Sequence, residues 1–270
     1  MARAKRHYLP GYVWHITHRC HKREFLLKFS RARRRWIEWL FQAKKRYHGL
    51  SILNYMVTSN HIHLLVYNNK ATNHVPESIR LIAGRVGQEY NTRKKRKGAF
   101  WSDRYHATAI EDGDHLLKCL VYIDLNMVRA GVVKHRPEWE FCGYNEIRNP
   151  KKRKGIIDFT RLMYLLNFET YDELKNAHFK WVEKAAMEES PAKDAKWTES
   201  IAVGSNIFIE QIKTALGFRV KGRKVIGSTD TFQLRETQSM YGNFGDMGVN
   251  NTFLWDESPI SLTGHFLYQN

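Results

Sequence analysis

The chain has 270 residues, 43% apolar and 26% charged, proportions that exclude a collagen-like, disulfide-stapled or wholly disordered protein. No uninterrupted apolar run approaches the ~18 residues of a membrane-spanning helix, and the basic N-terminus has no apolar core ahead of a cleavage site, so neither a spanning nor a secreted protein is expected. The net charge of +17 is uneven, because residues 1–100 hold 22 basic and 4 acidic side chains while the remainder holds 22 and 23.

The elements follow in order. Tyr12–His18 (YVWHITH) is aromatic and β-branched and predicts a strand. Ser30 precedes a helical pattern with Trp36, Leu40 and Phe41 on one face, closed by Gly49. Lys44 and Tyr47 continue that spacing, many basic residues lie on the other face, and Arg33, Arg34, Lys44 and Lys45 are candidate contacts to DNA. Leu50–Val57 and His61–Tyr67 predict a hairpin around Thr58-Ser59-Asn60. Pro76 can open a helix with Ile79, Ile82, Val86 and Tyr90 on one side, running into the basic stretch Arg93, Lys94, Lys95 to Gly98. Tyr105–Ile110 predicts a further strand. Asp112 or Asp114 can cap a helix to about Val128, closed by Gly131.

Strand, helix, strand, strand, helix, strand, helix is the order of an α+β fold: a ferredoxin-like antiparallel sheet with packed helices. Lys151–Gly155 (KKRKG) reads as a basic linker. It divides residues 1–150 from a mostly helical C-terminal extension, residues 151–270. That extension has helical character at 158–166, 171–189 and 206–216, then a Gly- and Asn-rich end. Cys20, Cys119 and Cys142 are odd in number and form no C-x-x-C pair, which fits a reducing cytoplasm. The basic runs call for a polyanion, nucleic acid foremost.

His61-Ile62-His63 is the sharpest chemical feature. On a strand, alternate residues leave one face together, so both imidazoles can chelate one divalent ion. An ordinary satisfied pair fits the same spacing. Tyr122 and Asn126 stand four apart, on one helical face. Beside a divalent ion the hydroxyl could serve as a nucleophile and the amide oxygen as a further ligand. A surface tyrosine and a capping asparagine is the plainer reading.

Three stretches, YMVTSNHIHLLV (55–66), FWSDRYHATAI (100–110) and VYIDLNMVRAGVV (121–133), resemble the single-tyrosine HUH transposases. Within these, the chain is most similar to the REP-associated tyrosine transposases. The resemblance spans about residues 5–148, and Val203–Arg235 is similar to an extension seen in part of that group. It implies Mg2+ or Mn2+ at His61, His63 and Asn126, and Tyr122 as the nucleophile. The implied reaction is cleavage and rejoining of single-stranded DNA through a 5′-phosphotyrosine, at hairpin-forming repeated palindromes. DNA is then the implied partner, with either a monomer or a homodimer as the working form and no membrane. Trp101, Arg104 and Tyr105 fall in the group's W-x-x-R-Y motif and could grip the strand. Three departures stand out. Met127 follows Asn126 where Pro is usual, Thr58-Ser59 replaces Met-Pro, and 140–144 reads EFCGY.

Two other readings compete. A binder of single-stranded or hairpin nucleic acid that has lost catalysis would use the same basic half. His15-Ile16-Thr17 and His106-Ala107-Thr108 are two H-x-T units, the signature of metal-independent two-histidine phosphoesterases, if both face one cleft from adjacent strands. Otherwise Trp14, His15 and His18 read as ordinary strand packing.

Overall fold

The aromatic and β-branched runs of the first 110 residues build four strands of one sheet. The computed structural model describes residues 8–68, 74–188 and 194–235. All of them belong to one compact unit spanning residues 1–237. The Gly- and Asn-rich end lies outside the described residues.

In chain order the elements are β1 (Val13–Arg19), α1 (Ser30–Arg46), β2 (Leu50–Val57), β3 (His61–Asn68), α2 (His74–Lys94), β4 (His106–Ile110), α3 (Asp114–Asp124), α4 (Asn126–Arg129), α5 (Gly143–Arg148), α6 (Phe159–Leu166), α7 (Tyr171–Met187), α8 (Lys196–Glu199), β5 (Ser200–Gly204), α9 (Asn206–Leu216), β6 (Lys224–Ser228) and β7 (Thr231–Arg235). The sheet order is β2-β3-β1-β4-β5-β7-β6. Every pairing is antiparallel except β4 with β5.

The α+β expectation holds, and the extension adds strands that it did not include. The basic linker 151–154 is exposed, and the chain beyond it returns to the same sheet through β5. Local chemistry explains the extension's helices. Asp158 caps α6 by accepting from the Arg161 amide at 3.0 Å. Thr170 and Glu173 form a reciprocal capping box on α7, and Ser205 caps α9 through the Phe208 amide.

Residues alternate across the strands, so the sheet has two distinct faces. His18 stacks on Trp101 with centroids 4.1 Å apart, and the Trp101 indole N–H donates to the Ala83 carbonyl of α2. That face therefore carries α2, with α1 packed beside it. His15 and His63 leave the opposite face, against α3 and α8.

The edge strand β2 is wholly buried. Its backbone is satisfied by the segment that closes over it, through Val57 N–H to the Phe141 carbonyl and Asp158 N–H to the Ile52 carbonyl. The β2 register shifts between Ile52 and Asn54, and Asn54 there donates to Asp124 at 2.9 Å. His178 of α7 meets the other carboxylate oxygen at 2.7 Å. Gly143 packs so close to Asn54 that a methyl group there would collide with its side chain.

The helix expected to run from Asp114 to about Val128 is interrupted. Leu125 takes φ −86°, ψ −1° between α3 and α4, and Gly131 at φ +66° ends the run. Ser30, expected to stand before α1, lies within its first turn. Phe29 takes the cap position, its carbonyl accepting from the Ala32 amide at 2.9 Å. Among the described residues no helix is long and apolar enough to cross a membrane.

Candidate active site

Pairing of β1 with β3 sets His15, Thr17 and Arg19 on the same face as His61, His63 and Leu65. The turn before His61 is tightly built. Thr58 Oγ1 donates to the His61 carbonyl at 2.8 Å and accepts from the His61 amide at 3.1 Å. His61 Nδ1 lies 2.7 Å from Asn60 Oδ1 and 2.9 Å from Thr58 Oγ1. Both oxygens are able to accept, so Nδ1 carries the proton and the lone pair sits on Nε2. The Thr58-Ser59 departure thus fastens the turn, contrary to the looser turn that the missing Met-Pro implies.

His63 lies with its ring centroid 4.9 Å from that of His61. Its Nδ1 is 3.0 Å from His15 Nε2, and its Nε2 is 3.1 Å from the Asn126 side-chain amide. His15 Nδ1 in turn meets the Trp197 carbonyl at 2.8 Å. Burial drives the His15 pKa down to about 4 against the raising effect of the Trp197 bond, so its imidazole is neutral at pH 7.

Tyr122 projects from α3 into the same space. Its ring centroid is 5.9 Å from His63, 6.2 Å from His15 and 6.2 Å from Trp197. The side chain is 4% exposed, and its buried hydroxyl has no hydrogen-bond partner among the described residues. Burial pushes the phenol pKa up to about 12, with Cys119 adding to the rise and Arg129 and Arg19 opposing it. The Arg129 guanidinium lies over the ring at 5.6 Å. A cavity of about 390 Å³ opens beside Tyr122 between α3, α7 and α8, lined by the cations Lys118, Arg129, Lys184 and Lys196 and by the carboxylates Glu188 and Asp194.

The donor set fits a small divalent cation. It comprises two imidazoles, His61 with its Nδ1 against two oxygens and His63 with its Nδ1 against His15 Nε2, and one amide within reach of the second imidazole. Rotating that amide by half a turn presents its oxygen. Two nitrogens and one oxygen completed by water suit Mn2+ or Mg2+. Among the described residues no cluster of three histidine, cysteine or acidic side chains offers an alternative.

The proposed DNA-gripping residues divide. Arg34 is exposed and paired with Glu140 at 3.0 Å. Lys44 reaches the Gly155 carbonyl, and Lys45, Lys95 and Arg104 are exposed. Arg93 and Lys94 lie over the Tyr90 and Phe29 rings. Arg31, Arg34, Arg35 and Arg93 line a groove of about 1050 Å³ between α1 and α2 together with Glu38 and Glu89, both of which bind Arg35, on the face away from Tyr122. Trp101 and Tyr105 are half-buried around His18.

Arg33 departs from the surface role expected for it. It is 8% exposed, donates to the Leu27 and Lys28 carbonyls and stacks on Trp139 and Phe141. The signal was present in the sequence, since 33, 36, 40 and 43 form the buried stripe of α1.

The two H-x-T units do lie on adjacent strands, with His15 opposite Thr108 and Thr17 opposite His106. They do not open on a cleft. Trp197 and Ser200 carbonyls cover them, accepting from His15 and from Thr108 Oγ1, with His106 Nε2 3.0 Å from the Ser200 oxygen. His15, Arg19, Arg129 and Trp197 are the site members that motif reading set aside or missed.

Residues 10–126 match the family described as "Transposase IS200 like". This segment is similar to the IS200-like transposases. It holds β1–β4, both imidazoles, Tyr122 and Asn126, while Arg129 and Trp197 lie beyond it. Among solved structures, the chain is similar to a REP-associated tyrosine transposase bound to a REP hairpin, at 19% identity and TM-score 0.46, over 59% of this chain and 96% of that one. It is also similar to a protein from Deinococcus radiodurans described as a transposase, at 14% identity and TM-score 0.32, over 43% and 89%. No curated protein matches.

Proposed function

We propose that this chain cuts and rejoins single-stranded DNA beside a hairpin, with Tyr122 as nucleophile and Mg2+ or Mn2+ held by His61, His63 and Asn126. Residues 1–150 are the catalytic part in this reading and 151–270 an extension that contacts DNA. The observation that carries it is the meeting, on one sheet face, of an unbonded tyrosine hydroxyl with two imidazoles, the first of which, His61, is held in the ligating form. A bound divalent ion would supply Lewis-acid polarisation of the scissile phosphate.

The chain's own groups account for the rest. Arg129 and Arg19 bring positive charge to the phenol, which favours its ionised form and attracts a phosphate. Attack by the Tyr122 oxygen on phosphorus forms a phosphotyrosine and releases a 3′-hydroxyl. A second strand end can then be joined without ATP, because the phosphodiester energy is kept. Half-buried Trp181 offers a stacking surface for a base, and Lys118 brings positive charge alongside it, while Lys184 and Lys196 reach the cavity from their pairs with Glu188 and Asp194.

The test is a labelled hairpin with a single-stranded flank, incubated with Mg2+ or Mn2+ and run on a denaturing protein gel. A labelled band at the protein's mass is expected. His63→Ala should remove it, with activity falling by at least ~10²-fold through loss of the cation. EDTA should do the same. Cleavage that survives EDTA and fails in His106→Ala would move the site to the two H-x-T units. The absence of any wild-type nick under either metal would leave a binding protein.

Affinity offers a separate check. If the basic first half neutralises five or so phosphates, log K against log salt should slope at about −3 to −5. A flat plot in a fluorescence-anisotropy titration sinks the electrostatic part of the reading.

A further inference from the structure

We propose that His15 is a positioning residue for His63, relaying the Trp197 carbonyl across the sheet so that His63 keeps its proton on Nδ1 and its lone pair on Nε2. The inference rests on the reading of His63 as a metal ligand, and it adds the device that keeps that ligand in the ligating form.

The argument runs from proton to proton. The Trp197 carbonyl only accepts, so His15 Nδ1, 2.8 Å away, must donate. His15 is fully buried and bonded there to a neutral group, which favours the uncharged imidazole. A neutral ring with Nδ1 protonated has a lone pair on Nε2. His63 Nδ1, 3.0 Å from that atom, is then the donor. The two rings are only 8° from parallel, as expected for a hydrogen bond near both ring planes. His63 Nε2 is thereby left as an acceptor, pointing at the Asn126 amide at 3.1 Å. Reversing the first link reverses the chain. With its proton on Nε2, His15 would force His63 to protonate Nε2, and that nitrogen could no longer bind a cation.

The origin of the relay matters for the fold. Trp197 lies in the short α8, 71 positions past the end of the family-matched segment at residue 126. Thr108 Oγ1 lies 2.7 Å from the Ser200 carbonyl and 3.2 Å from that of Trp197, and β5, which follows directly, pairs Ala202 with Ala109. The extension therefore reaches the catalytic face by a backbone atom, which no motif records. Outer hydrogen bonds of this kind fix ring orientation and tautomer at metal-binding histidines.

The test uses the full chain, 15N-labelled and held in EDTA, with long-range proton–nitrogen spectra of the histidine rings. His63 is expected with its proton on Nδ1, the less common form of free histidine. His15→Phe removes both ring nitrogens while keeping a flat side chain. It should release His63 toward the Nε2-protonated form and weaken Mn2+ binding by calorimetry by about 10- to 100-fold. His15→Gln can accept from His63 and donate to Trp197 together, so it should restore the tautomer and most of the affinity. Amide spectra of each variant show whether it is folded, and the wild-type tautomer stands as a result without any variant.

Finding wild-type His63 protonated on Nε2 overturns the proposal. So does a folded His15→Phe with an unchanged His63 spectrum and Mn2+ affinity within about two-fold of wild type. A wild type that holds the Nδ1 proton, loses it in His15→Phe, yet binds no Mn2+ supports the relay and removes the metal reading instead.

Discussion

Tyr122→Phe should form no covalent adduct with hairpin DNA, and its nicking rate should fall by at least ~10³-fold, the scale of losing a nucleophile. The same change should leave the protein as stable as before or more stable. The Tyr122 hydroxyl is buried without a partner among the described residues, and a polar atom in that state costs about 1–3 kcal/mol. Deleting the oxygen returns part of that cost and keeps the ring against His15, His63 and Trp197. A wild type less stable than its inactive variant is the mark of a group retained for chemistry. Thermal melts and the labelled-DNA gel, run on one preparation, give both numbers. A phenylalanine variant that nicks near the wild-type rate would falsify tyrosine attack. One that is inactive but markedly less stable would mean that the hydroxyl supports the fold.

The second large effect lies behind the site. Asp124 and His178 are both wholly buried, bonded at 2.7 Å, and join α3 to α7. Asn54 holds the other carboxylate oxygen. His178→Ala leaves the carboxylate buried with one partner gone, and breaking a buried pair from one side costs about 3–5 kcal/mol. For a chain of this size that is a fall in Tm of about 10 °C. His178→Gln can still donate one hydrogen bond and should lose less. Urea titrations of the three proteins decide it, and a loss under about 1 kcal/mol for His178→Ala would show the pair to be replaceable by water. Since α3 also carries Tyr122, any DNA cleavage left in His178→Ala should fade at a lower temperature than in the wild type.

The first four strands could be read from sequence because their aromatic and β-branched residues are self-sufficient signals. Leu50–Val57 has the predicted bounds, and Val13–Arg19, His61–Asn68 and His106–Ile110 differ by a residue. β5 gave no such signal. Its sequence, SIAVG, is short and rich in small residues, and it becomes a strand because β4 offers it an edge. β6 and β7 follow from β5 in the same way.

The interruption at Leu125 carries no Gly or Pro to announce it. Tyr122 and Asn126 nonetheless stay within one turn, because the Leu125 amide still bonds to Val121 and the Arg129 amide to Leu125. His61, His63, Tyr122 and Asn126 were readable as side chains with chemistry in a short pattern. The His15 bond to Trp197 was not, since the two stand 182 positions apart and one of them contributes only a carbonyl. Thr58 read as a departure from its relatives' pattern, and only the geometry shows that its hydroxyl performs the fastening.

The parallel partner of β4 also sets a clock on synthesis. β4 ends at Ile110 and β5 begins at Ser200. At about 5–20 residues per second, the first four strands leave the ribosome roughly 5 to 20 s before the strand that covers them. Through that interval β4 presents unpaired amides and carbonyls at the sheet margin, the kind of edge that recruits strands from other chains. The nascent protein therefore passes through a sticky stage in which His61, His63 and Tyr122 already exist and the Trp197 carbonyl that bonds to His15 does not. Slowed translation between residues 110 and 200 should lengthen that stage and raise the yield of aggregated chain.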